Sequence, residues 1–170
     1  MESVDVSTVS VIETPPRLVL DTNVVMDLFH FQTPPLAQLA QAISSDHVIC
    51  LANDRTLAEL ERVTGYPQFR LDAAGRDNLL KRYRAHLTIV PAKPSDADLP
   101  LLPKCRDPDD QMFLELAQYA KADLLISRDN LVLKLAKGRQ RPCPFLILPP
   151  DAALIHLFGN KDSDNASTEN

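Results

Sequence analysis

Between residues 17 and 148 the chain alternates short, uninterrupted apolar runs with stretches of helical periodicity, and this alternation restricts the folds open to it. RLVLD, HVICL, LTIV, ADLLIS and FLIL are the apolar runs. A strand with one wet face alternates apolar and polar residues, whereas a continuous run suits a strand covered on both sides. Helical patterns fill the intervals: residues 23–30, LAQLAQAI, RTLAELERVTGY, residues 72–86, DPDDQMFLELAQYAKA, and NLVLKLAKG stopped by Gly138. Strands alternating with helices imply an α/β fold in three layers, α/β/α, around a central, mainly parallel and twisted sheet.

Composition narrows the function before any motif is read. At 170 residues and 45% apolar content the chain suits one domain with one core. Its net charge of −5 argues against a protein that coats nucleic acid, although a local basic groove is compatible with it. The 4 glycines, Gly65, Gly75, Gly138 and Gly159, lie far apart. Phosphate-cradling glycine loops and nucleophile elbows are therefore excluded. Cys50, Cys105 and Cys143 show no C-x-x-C spacing, and His30, His47, His86 and His156 stand alone, so neither zinc nor a disulfide framework is indicated. A reducing compartment follows. No apolar run approaches the roughly 20 residues of a membrane span, and acids stand near the N-terminus where a signal peptide carries Lys or Arg. The expectation is a soluble cytoplasmic protein without a membrane partner. Residues 1–16, with an imperfect alternation at Val4, Val6, Val9 and Val11, read as a flexible extension. Residues 17–159 read as the folded domain and residues 160–170 as a disordered tail.

Acids mark the ends of two expected strands. RLVL runs into Asp21, and LLIS is followed by Arg128 and Asp129. Open parallel sheets bind ligands at the carboxyl ends of their strands, so these positions are candidate site residues as well as candidate helix caps. Asp107-Pro108-Asp109-Asp110 opens the clearest helix, with Asp107 placed as its cap and Pro108 in its first turn. Asp110 heads the stripe of Phe113, Leu114 and Ala117 that turns toward the core, a costly place for an unpaired carboxylate. In TLAELERV both Glu59 and Glu61 flank the apolar stripe, and periodicity does not choose between them. Carboxylates about 4 Å apart repel by roughly 4 kcal/mol at an effective dielectric of 20. If these acids converge, an oxygen-only cluster suits Mg²⁺ or Mn²⁺ better than Zn²⁺.

The same residues carry a resemblance. LVLDTNVVMDLF, LAELERVTGYPQF and RDPDDQMFLELAQYAKADLLISRDNLVLKL resemble, in order, the D-x-N strand, the E-L-x-x-V segment, and the D-P-D-D helix with its S/T-x-D turn of the PIN-domain family. The likeness is to the subgroup described as VapC-like toxins of toxin–antitoxin pairs, and it spans about residues 17–158. It implies a metal-dependent ribonuclease that hydrolyses RNA phosphodiester bonds. Asp21, Glu59, Asp110 and Asp129 become the catalytic, metal-binding acids, and Glu61 becomes a surface residue. Asp107 is left either to a second metal or to the helix cap. Asn23 and Ser127 become the groups that orient the carboxylates. An antitoxin protein and a homodimer are the implied partners besides RNA. Arg128 departs from the small or polar residue usual at its position and suggests contact with phosphate. For holding RNA the sequence offers Lys134, Lys137, Arg139 and Arg141, and a second group of Lys81, Arg82 and Arg84. The competing readings are a catalytically silent module of the same fold that binds RNA or protein, and an interaction protein whose acids are caps. A haloacid-dehalogenase-like phosphatase would need D-x-D where the chain has Asp21-Thr22-Asn23, and a phospho-receiver would need a lysine near Arg128.

Overall fold

The computed structural model describes residues 14–138 and 141–159. The alternation at Val4–Val11, the tail from residue 160 and Arg139 lie outside the described residues. Five strands form one wholly parallel sheet: β1 (Arg17–Leu20), β2 (Ile49–Ala52), β3 (Leu87–Ile89), β4 (Leu124–Ile126) and β5 (Leu146–Leu148). The helices are α1 (Thr22–Phe29), α2 (Ala37–Ser44), α3 (Asp54–Thr64), α4 (Ala73–Arg84), α5 (Pro108–Tyr119), α6 (Asn130–Leu133) and α7 (Pro150–Phe158). The strand order is β3-β2-β1-β4-β5. From β1 the chain builds outward to β2 and β3, then returns past β1 to lay down β4 and β5 on its other side.

Period-2 side-chain alternation explains why the sheet is covered twice. Leu18 and Leu20 of β1, Cys50 and Ala52 of β2, and Leu124 and Ile126 of β4 pack into one buried cluster with α1, α2, α3, α4 and α7. Val19, Leu51, Leu125 and Ile147 face the other way, onto α5 and the start of α6. The central register aligns Val19 with Leu51 on one side and with Leu125 on the other, so each layer is continuous across the sheet. The expected three-layer α/β/α architecture is therefore what the chain adopts.

Helix starts follow their local chemistry. Asn53 and Thr56 cap α3 reciprocally, with each side chain accepting from the other's backbone N–H at 3.0 and 3.1 Å. Asp72 caps α4 through the Gly75 N–H at 2.7 Å. Asp107 caps α5 through the Asp109 N–H at 2.9 Å, with Pro108 in the first turn where no N–H is needed. The Pro- and Asp-rich connection after β3 has no regular structure but is tied to α5. Gln118 donates to the Pro100 carbonyl at 2.7 Å, while Gln111 donates to that of Pro103 at 3.2 Å and accepts from the Cys105 N–H at 2.7 Å.

Two elements differ from the sequence expectation. The helix expected over NLVLKLAKG is α-helical only to Leu133, then tightens into a 3-10 turn, Lys134–Lys137, which ends where the Gly138 N–H reaches the Leu135 carbonyl. After β5 the chain forms α7, which the reading above omits. Its LIHLF core has no clean polar face: Ala153 is fully buried while Ile155 is 71% exposed, so periodicity carries little signal there. Leu114 is fully buried under the sheet on α5. Leu114→Ala should cost about 3 kcal/mol, seen in urea as a lower midpoint with an unchanged slope.

Candidate active site

The reversal of strand order between β1 and β4 leaves a crevice at their carboxyl ends. The Asp21 N–H donates to the Ile126 carbonyl at 2.9 Å, which extends the ladder by one residue and brings Asp21 beside Ser127. Asp21 is 5% exposed and Ser127 is fully buried. The Ser127 hydroxyl donates to Asp21 Oδ2 at 2.6 Å and accepts from the Asp129 N–H at 3.0 Å. Asn23 donates to the same Asp21 oxygen at 3.4 Å, and its own Oδ1 accepts from the Arg128 N–H at 3.3 Å. Two turns, one after each central strand, are thus bonded through the side chains of their own polar residues.

Electrostatics places the remaining acids around that point. Burial raises the pKa of Asp21 above its ordinary value. The Ser127 hydroxyl and the Thr22 backbone N–H oppose the rise, and the charges of Asp129 and Glu59 add to it. Asp110 is half-buried at the head of its apolar stripe, and its pKa is pushed up to about 7. Burial is the largest cause, followed by Asp21, Asp129, Asp107 and Asp109. The charges of Asp21 and Asp129 therefore reach Asp110 and disfavour its ionisation, and that of Asp129 does the same to Asp21.

The other candidate residues have more particular surroundings. Asp129 caps α6, with Oδ1 accepting from the Leu131 N–H at 2.7 Å. Asp107 is likewise a cap. Glu59 is partly buried while Glu61 is exposed, and only Glu59 is among the charges felt by Asp21. Arg62 grips both Glu59 oxygens, at 2.8 and 2.7 Å. Arg62 also stacks on Tyr66 and comes within 3.9 Å of Asp109. Lys134 and Lys137 are exposed on the 3-10 turn beyond Asp129, and Arg139 lies outside the described residues. Lys81, Arg82 and Arg84 close α4 just before β3 begins, which puts them at the amino edge of the sheet and away from the crevice. That location follows from topology: a helix leading into a parallel strand ends on the side opposite the strand's carboxyl end.

Sequence reasoning missed Asp27. It lies on α1 within VVMDLF, only 9% exposed, and Arg128 forks onto it at 2.6 and 3.1 Å. The signal was present as a lone acid in an apolar helix, which requires a partner. Arg128 is thus held by an ion pair that pins the turn of Ser127 and Asp129 against α1.

The acids at the crevice are carboxylates, and their oxygen donors fit a hard divalent cation in chemical type. Among the described residues no three His, Cys, Asp or Glu side chains already stand grouped as they would around a metal ion. Glu59 in particular has both oxygens engaged by Arg62.

Residues 17–131 match the family described as the PIN domain, and the chain belongs to that family. PIN domains are in general nucleases. Among curated proteins none is similar enough to this chain to register as a relative.

The raised pKa of Asp110 links to stability with a definite sign. Its native form holds a proton that the unfolded chain releases near the ordinary value of 3.8. The stability it contributes is present at low pH and is lost as pH rises toward and through about 7. In EDTA, Asp110→Asn should therefore raise Tm at pH 8 and leave it nearly unchanged at pH 4. Solvent at this half-buried position screens much of the full effect, leaving about 1 kcal/mol, or a few degrees. For the ion pair, a double-mutant cycle of Asp27→Asn and Arg128→Gln in urea should return a coupling of about 1 kcal/mol.

Proposed function

We propose that this chain is a Mg²⁺- or Mn²⁺-dependent ribonuclease that hydrolyses RNA phosphodiester bonds, working in the cytoplasm as the toxin of a toxin–antitoxin pair. The observation that carries the reading is that the carboxyls of Asp21 and Asp110 are both pushed up, with the charge of Asp129 adding to burial at each. Membership of a family of nucleases supplies the reaction class. The order of D-x-N, E-L-x-x-V, D-P-D-D and S-x-D along the chain supports the toxin subgroup, and with it a cognate antitoxin and a homodimer.

When bound, a divalent cation supplies a water of lowered pKa and neutralises charge on the leaving oxygen. Asp21, Glu59, Asp110 and Asp129 would hold it. Ser127, fully buried, fixes the rotamer of Asp21 through a 2.6 Å bond and so removes the freedom that a ligand carboxylate would otherwise lose on binding. Asn23 steadies the same oxygen and the turn that carries Asp129. Glu59 joins only by exchanging its contacts with Arg62, which frees that guanidinium at the mouth of the site for a phosphate. Arg128, Lys134, Lys137 and Arg139 remain candidates for contacts farther along the RNA. Asp107 caps α5 through one oxygen, as Asp129 caps α6.

The test is cleavage of a panel of labelled single-stranded and structured RNAs with Mn²⁺, with Mg²⁺ and with EDTA, for the wild type and Asp21→Asn. Cleavage that requires the cation and falls at least 100-fold in the variant is the expected result. No cleavage by the wild type, together with no Mn²⁺-dependent rise in Tm, would overturn the enzyme and leave the silent binding module.

A further inference from the structure

Two adjoining cavities lie against α5. One measures about 350 Å³ and the other about 540 Å³. Both are lined by Arg55, Lys93, Glu115 and Gln118, so they form a single trough. One wall is the outer side of α5, a second is the first turn of α3, and the third is the irregular segment that follows β3. That third wall is fixed in place, because Gln111 and Gln118 of α5 bond its backbone at Pro103, Cys105 and Pro100.

The charge of this trough runs against that of the chain. The protein carries −5 overall, yet Arg55, Lys93, Lys104 and Arg141 line the two cavities against Asp54 and Glu115, four cations to two carboxylates. Glu115 is used by Arg55 at 2.8 Å. Among the described residues Lys93, Lys104 and Arg141 have no carboxylate within ion-pair distance.

The trough leads to the acidic crevice. Pro108 and Cys105 are on its lining, and Pro108 opens the helix whose first turn carries Asp110. The Cys105 thiol lies near enough to the acids that, after burial, the charge of Asp110 is the largest of those pushing it up to about 12, with Asp129 and Asp21 contributing too. A polyanion approaching three carboxylates is repelled, and the repulsion acts over a Debye length of about 8–10 Å. Unpaired cations next to such a crevice offset that repulsion, and they gain the counterion-release term when phosphates dock.

We propose that this trough is the track for the backbone of single-stranded RNA, with Lys93, Lys104 and Arg141 contacting phosphates on the way to Asp110. The assignment rests on the ribonuclease reading above and adds to it the path of the substrate, joining Lys93 and Lys104 to Arg141 of the basic group read from the sequence.

The experiment measures binding of a labelled single-stranded RNA in EDTA across a series of salt concentrations. The variants are Lys93→Gln/Lys104→Gln/Arg141→Gln and, as a control removing equal charge, Lys81→Gln/Arg84→Gln/Lys121→Gln from the amino edge of the sheet. Each lost phosphate contact lowers the log–log salt slope by about 0.7, so the trough variant should lose about 2 from its slope. It should also bind at least tenfold more weakly at 0.1 M salt, while the control stays within about threefold of wild type. Hydrolysis of bis(p-nitrophenyl) phosphate with Mn²⁺, a diester too small to use the trough, should be equal in all three proteins. Equal losses in trough and control variants, unchanged RNA affinity in the trough variant, or no RNA binding by wild type would each overturn the proposal. Unchanged affinity would reassign the trough, with exposed Leu101 on its lining, to a protein partner. RNA binding that depends on the trough without any diester hydrolysis would instead remove the ribonuclease reading and keep the track.

Discussion

The carboxylate of Asp21 is held in a place where water scarcely reaches it, and the arrangement of the site follows from that. A buried carboxylate is costly unless hydrogen bonds or an opposite charge compensate it. Here Ser127, Asn23 and the Thr22 N–H supply part of the compensation, and they come from two different pieces of the fold. Ser127 belongs to the end of β4, Asn23 to α1, and both are in reach because β1 and β4 are paired neighbours whose registers end together. The remaining debt is electrostatic, since Asp129, Glu59 and Asp110 bring negative charge where positive charge is needed. A cation-binding reading of the crevice grows from this imbalance.

Structural support for the site lies in polar contacts that reach across the sheet. The Asp27–Arg128 pair joins α1 to the turn after β4, and Asn23 joins the same two elements through the Arg128 N–H. Together they restrain the position of Asp129 relative to Asp21, two residues separated by most of the domain in sequence. On the other side, Arg62 links Glu59 of α3 to Asp109 at the start of α5. Arginine suits such junctions because its planar fork can meet both oxygens of a carboxylate, and it is equally able to exchange one oxyanion for another.

Much of the fold was legible because its strands are buried on both faces. Continuous apolar runs such as RLVL and ADLLI have no alternative location in a small α/β domain, and the cap Asp107 marks its helix with local hydrogen-bond chemistry. Helix α7 was illegible for the opposite reason: it is apolar nearly all round, so no periodic stripe separates it from a strand or a loop. The 3-10 turn at Lys134–Lys137 was also hidden, since a helix and its tighter relative share most of their residue preferences.

The sequence by itself determined which acids end strands and head buried helix faces, because strand pairing and the 3.6-residue turn are local rules. It also determined the four-motif order that marks the family. Periodicity left Glu59 and Glu61 open and the family motif pointed to Glu59; tertiary structure adds that Glu59 is the partly buried one, whose charge Asp21 feels. It alone paired Asp27 with Arg128, and it alone turned Lys81, Arg82 and Arg84 to the far edge of the sheet. These are contacts between residues distant along the chain, and their geometry depends on how layers stack around a central strand rather than on any preference of the segments themselves.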